Sequence, residues 1–166
     1  MYKDYTLKAR VSSQNLLEGE LKKLNARFLG VDHQTDTYFQ TSIGKLKLRQ
    51  GTIENLITHY ERTFDNGVEK TTVHRYDVNP TEAEVEKLKD SHKQIGTVIK
   101  ERKIYFIDHL KIHLDKLQNG EEFIEIEAID RHNEFSDEEL KNQCMALKDK
   151  LGIRESEMVK TGYLTK

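Results

Sequence analysis

The feature that most constrains this chain is a period-two alternation that places charge on one face of segment after segment. Leu46 and Leu48 alternate with Lys45, Lys47 and Arg49. Tyr60 and Arg62 share a face of the next segment, Lys100 and Arg102 share another, and His113 and Asp115 a third. Ile124, Ile126 and Ala128 oppose Phe123, Glu125 and Glu127. Successive side chains of a strand point to opposite faces, so each segment is a strand with one apolar and one charged face. A sheet with one solvated face gives the same alternation. What separates this chain from that pattern is the recurrence of Arg or Lys in i,i+2 pairs on separate strands, with carboxylates ending the series.

The rest of the chain falls into place around these strands. Tyr5–Val11 alternates, with Thr6, Lys8 and Arg10 on its polar side. Ser12–Ser13 caps a predicted helix running to about Phe28, with Leu16, Leu17, Leu21 and Leu24 at helical spacing. Thr35–Thr41 and Lys45–Gln50 form a hairpin across Ser42–Gly44, and Thr52–Phe64 and Lys70–Val78 another across Asp65–Gly67. Thr81–His92 reads as a helix, with Pro80 ahead of it and Thr81 and Glu84 spaced as a capping box. Thr97–Ile107, Leu110–Leu117 and Glu122–Ile129 are three more strands, and Ser136 caps a last helix to about Leu151. About eight strands and three helices without regular βαβ alternation predict an α+β fold: a closed, up-and-down antiparallel β-barrel with flanking helices. Residues 1–166 are read as one domain, a length that suits a single core.

Composition narrows the function classes. The 27 Lys and Arg against 29 Asp and Glu argue against a general nucleic-acid or membrane binder, which needs one-signed surface charge. Cys144 is the only cysteine, so multi-cysteine zinc sites and internal disulfides are excluded, and its neighbours Met145 and Leu147 suggest a packed thiol. His109 and His113 have HxxxH spacing, but in a strand they lie roughly 13 Å apart. No stretch reaches the roughly 20 apolar residues of a membrane helix. The first ten residues lack a hydrophobic signal region, which predicts a reduced, cytoplasmic setting.

If the charged faces turn inward, a closed barrel holds cations on one wall and carboxylates on another. Buried charge on that scale needs partners. A triphosphate with a divalent metal supplies them, because Lys and Arg take phosphate oxygens while Asp and Glu hold a hard cation.

An ordered set of segments carries a resemblance: TLKAR at 6–10, QTDTYF at 34–39, GKLKLRQG at 44–51, YER at 60–62, KTTVH at 70–74, KER at 100–102, KIHLDKL at 111–117 and FIEIEA at 123–128. In these, the chain resembles the CYTH superfamily of triphosphate tunnel metalloenzymes, nearest the class IV adenylate cyclase-like subgroup. The resemblance implies an eight-stranded tunnel that binds triphosphate and uses Mg²⁺ or Mn²⁺. It implies triphosphate contacts from Lys8, Lys47, Arg49, Arg62, Lys70, Lys100 and Arg102, with Lys8 and Arg62 in catalysis. Asp4, Asp115, Glu125 and Glu127 are the implied metal ligands. ATP, thiamine triphosphate and tripolyphosphate are the implied substrates, either hydrolysed or, for ATP, cyclised.

Two departures from that pattern matter. The family's Glu-x-Glu-x-Lys signature reads Asp4-Tyr5-Thr6-Leu7-Lys8 here, so the second carboxylate is replaced by a hydroxyl. Thr72 and His74 stand where the family often has Ser and Tyr. Each residue also has an ordinary structural reading: solvated strand faces for the cations and glutamates, a turn tie for Asp115, a frayed terminus for Asp4, a hydrogen-bonded barrel residue for His113. Three functions are compatible with the sequence: a metal-dependent enzyme acting on a triphosphate, a triphosphate-binding module with catalysis reduced through Thr6, and a structural barrel.

Overall fold

Polar faces that turn towards one another leave the apolar faces outside, and this inversion organises the fold. The computed structural model describes residues 3–159 and residue 163. Its strands are β1 (Lys3–Arg10), β2 (Arg27–Phe39), β3 (Lys45–Gly51), β4 (Asn55–Asp65), β5 (Val68–Val78), β6 (Gln94–Ile107), β7 (Leu110–Leu117), β8 (Glu122–Asp130) and the short β9 (Met158–Val159). The helices are α1 (Gln14–Lys23), α2 (Glu82–Ser91) and α3 (Asp137–Lys150). Hydrogen bonding runs β5–β4–β3–β2–β6–β7–β8–β1, and pairing of β1 with β5 closes the barrel. Every pairing is antiparallel, and β9 adds to β1 at Lys8 and Ala9.

The chain is therefore a closed antiparallel eight-stranded barrel with one extra strand and three helices. It is not a plain up-and-down meander. β1 and β2 are not neighbours, nor are β5 and β6. The links between them carry α1 and α2, and a helix that buries its apolar side against the outer wall takes the chain to a distant strand.

The apolar cores lie between that outer wall and the helices. Leu7, Ile112, Leu114, Ile124 and Ile126 pack with Leu21 of α1 and with Leu140, Cys144 and Leu147 of α3. Leu46, Leu48 and Ile57 pack with Leu88 of α2. The capping box predicted for α2 forms, Thr81 with Glu84, and Ser136, read as the cap of α3, forms a second one with Glu139. Helix α1 ends sooner than its spacing predicts, because Asn25 takes a left-handed φ of 59° and β2 already begins at Arg27. The strand expected from Thr52 begins at Asn55 instead. Asp32 holds the bend before it, accepting hydrogen bonds from the Ile53 and Glu54 amides at 2.8 and 2.9 Å. Gly44, with φ of 65°, turns the β2–β3 hairpin where a Cβ would lie 2.2 Å from the Tyr60 carbonyl oxygen. Among the described residues no helix is long and apolar enough to cross a membrane.

Candidate functional site: a charge-lined tunnel

Strand register decides which charges meet. Asp36 on β2 lies directly opposite Arg49 on β3, and Arg49 donates to both its oxygens at 2.9 Å from Nε and from Nη2. Lys100 of β6 donates to Asp36 Oδ2 at 2.5 Å, and Lys47 Nζ stands 3.9 Å from the same oxygen. One buried carboxylate thus gathers three cations. Arg102 forms a second bidentate fork with its cross-strand partner Asp115, 2.7 Å at each oxygen, and reaches Glu125 Oε1 at 3.0 Å. Glu54 takes the Lys111 ammonium and accepts from Gln34 at 3.1 Å. Lys47, Arg49, Arg102, Lys111 and Glu125 of this set line a cavity of about 80 Å³. Arg62, Asp4 and Glu127 line the same cavity.

The carboxylate side is built on β1 and its neighbours. Asp4 and Thr6 are buried, and Asp4 Oδ1 and Thr6 Oγ1 have no hydrogen-bond partner among the described residues. Lys8, 1% exposed, lies with its ammonium 3.0 Å from the centroid of the Tyr163 ring and 4.7 Å from that of Phe123. Tyr163 donates its hydroxyl to Asp115 Oδ2 at 2.6 Å. Arg62 stacks over Tyr60, 4.9 Å from its centroid, and donates Nε to Thr71 at 3.2 Å.

Proton affinities follow from this crowding. Burial works against the Asp36 charge, but the Arg49 guanidinium and the Lys47 and Lys100 ammoniums outweigh it and hold the carboxyl well below its usual range. Burial, helped by neighbouring Arg49, pushes Lys47 well down and Lys100 down to about 8. Burial brings Lys8 to about 8 as well. Glu125 resists burial through Arg102 and Lys8 and sits at about 2. Asp4 moves the other way: burial and the nearby Glu127 push it well up. Burial and a ring of cations, Arg102 foremost, keep His113 neutral. His113 was expected to be a hydrogen-bonded barrel residue; it is buried in the barrel, but neither ring nitrogen has a partner among the described residues.

The register thus brings Lys8, Lys47, Arg49, Arg62, Lys100, Arg102, Asp4, Asp115, Glu125 and Glu127 to the tunnel face. Lys70 is the exception. It pairs with Tyr5 and Thr63 on the outer face, beneath α3, where its ammonium donates to Asp137 Oδ2 at 2.8 Å. Asp115 is also less available than the resemblance implies, since both its oxygens are committed to Arg102. Among the described residues no three His, Cys, Asp or Glu side chains are drawn together as a metal cluster. Sequence reasoning passed over Asp36, although Gln34, Asp36 and Tyr38 alternate on β2. It also missed Glu54, Lys111 and Tyr163, which sit at strand ends or in the tail, where periodicity carries no signal.

A closed barrel with buried cations inside and its apolar cores outside defines a tunnel fold. The chain belongs to the CYTH domain family, whose model matches residues 3–163. No curated protein matches it. Among solved structures it is similar to the PH1012 protein of Pyrococcus horikoshii OT3, at 26% identity, TM-score 0.79 and 94% coverage of each chain. A Vibrio parahaemolyticus protein proposed as an adenylate cyclase superposes with TM-score 0.75 at 17% identity, over 96% of this chain and 94% of that one. HpAC1 from Hippeastrum, described as having a dominant triphosphatase activity, superposes with TM-score 0.59 at 15% identity, over 90% of this chain and 88% of that one.

Proposed function

We propose that this chain binds the triphosphate of a nucleotide, of an organic triphosphate or of tripolyphosphate inside the barrel, and hydrolyses it with Mg²⁺ or Mn²⁺. The observation that carries this reading is the Asp36 cluster. Arg49, Lys100 and Lys47 converge on one carboxylate in a closed barrel, an arrangement that phosphate oxygens can take over with the same charge-assisted geometry. Arg102 supplies a second fork, and Lys8 and Arg62 flank Glu125, where the cations meet the carboxylates. Those two stabilise charge on the phosphoryl group under attack.

The donors that would hold the metal are oxygens near one another on the carboxylate side, though not gathered as a ready-made cluster. The unpartnered Asp4 Oδ1 and Thr6 Oγ1 are hard oxygen donors beside Glu127 and Glu125. A divalent ion held by these oxygens would supply polarisation of the phosphoryl oxygens and a more acidic bound water. Hydrolysis draws support from the triphosphatase activity of HpAC1; cyclisation of ATP is the variant suggested by the Vibrio relative. A free, buried Cys144 suits a reducing cytoplasmic setting.

The second reading is a triphosphate-binding module with reduced catalysis, favoured by Thr6. Phosphate release from tripolyphosphate, ATP and thiamine triphosphate separates the two, assayed with Mg²⁺, with Mn²⁺ and with EDTA. The enzyme reading expects metal-dependent orthophosphate from at least one substrate. Binding of a triphosphate with no turnover under any metal would leave only the module.

A further inference from the structure

The loss of a carboxylate at position 6 has a counterpart one strand away. Thr6 on β1 lies directly opposite Glu127 of β8 on one side and Glu69 of β5 on the other. Directly opposed residues share a face, with Cβ atoms about 4.5–5.5 Å apart. Glu69 and Glu127 therefore flank Thr6 on the tunnel side, and Glu69 is 8% exposed. Asp4 is the next inward residue of β1, opposite Thr71, and Arg62 feels both Asp4 and Glu69. Two buried oxygens of this group have no hydrogen-bond partner among the described residues: Oδ1 of Asp4, a residue 5% exposed, and Oγ1 of Thr6, 0% exposed. Buried oxygens left unbonded are costly unless a ligand completes them.

We propose that Glu69 supplies the carboxylate missing at Thr6, so that a divalent oxygen-seeking cation draws together Asp4, Glu69 and Glu127, which are not gathered as a cluster without it, around the Thr6 hydroxyl. The inference rests on the triphosphate reading of the tunnel and deepens it, by naming a ligand that the family resemblance does not supply. A glutamate on the adjacent strand reaches the space that a glutamate at position 6 fills, because the two Cβ atoms are cross-strand neighbours. Magnesium and manganese sites of this kind need only one or two carboxylates, the rest of the shell coming from water and phosphate oxygens.

Binding of Mn²⁺ alone to the full chain, followed by loss of the free-ion electron paramagnetic resonance signal, tests this without turnover. Wild type is expected to bind Mn²⁺, and Glu69→Gln to weaken it about 10-fold or more. Adding Thr6→Glu to Glu69→Gln is expected to restore the affinity, since the carboxylate returns to the same space. Thermal melts check that each variant is folded; if Glu69→Gln melts early, Glu69→Asp gives the same test with a smaller loss. Unchanged Mn²⁺ affinity in the folded Glu69 variant, or no recovery in a folded double variant, overturns the assignment. Tripolyphosphate binding to wild type in EDTA is measured in parallel. Tripolyphosphate binding without Mn²⁺ binding overturns the metal site and leaves the triphosphate reading standing; absence of both removes that reading as well.

Discussion

Asp36 is an acid set in the middle of a wall of cations, and its place there explains how the tunnel stays folded without an anion. Three positive groups share its two oxygens. Removing one partner of a buried ionic group leaves uncompensated charge, which costs about 3–5 kcal/mol. Asp36→Ala is therefore expected to lower the stability of the free protein by about that amount in urea unfolding. Tripolyphosphate should recover part of the loss and raise the melting temperature of the variant more than that of wild type. A free variant as stable as wild type would show that the cations do not depend on Asp36. The sequence made Lys47, Arg49, Lys100 and Arg102 legible because like charges recurred at i,i+2. Asp36 escaped because its sign is wrong for a phosphate wall. Lys70 misled for another reason: no alternating apolar face in the run from Glu69 to Asp77 reveals which parity turns inward, and only the pairing with β1 decides it.

Among the elements, α2 shows how outside packing places inside charge. Leu88 is its buried residue and packs on Leu46, Leu48 and Ile57, so it braces the strand whose opposite face carries Lys47 and Arg49. Leu88→Ala is expected to cost about 2–5 kcal/mol in stability. Because Leu88 is outside the tunnel, tripolyphosphate affinity measured on the folded variant should stay close to wild type. A large loss of affinity with little loss of stability would contradict this division of labour. The capping box of α2 was legible because it rests on two residues three apart, and the start of α3 because Ser136 precedes a run of acids. The end of α1 was not, since one left-handed residue, Asn25, overrides a helical spacing that continues through Leu24. The crossovers were also hidden: alternation marks a strand's faces but not its neighbours, and β2 joins β6, with Phe39 opposite Gln94, across three intervening strands and a helix.

For the whole molecule, the proposed binding of a polyanion by the buried cations is testable through proton linkage. Lys8 and Lys100 are depressed to about 8 in the folded protein, against roughly 10.4 for an ordinary lysine. The unfolded chain thus binds more protons between those values, and these two groups make stability rise as pH climbs from about 8 towards 10.4. A bound triphosphate adds negative charge beside both ammoniums and raises their proton affinity, so binding above pH 8 takes up protons. Calorimetric titration of the full chain with tripolyphosphate, in EDTA at pH 8.5 and in two buffers of different ionisation enthalpy, measures both effects at once. The predicted result is one-to-one binding with net proton uptake, weakened at least about 10-fold in Arg102→Ala, as expected for loss of a charge-assisted fork. Absence of binding, or binding that is indifferent to Arg102, would contradict a triphosphate tunnel.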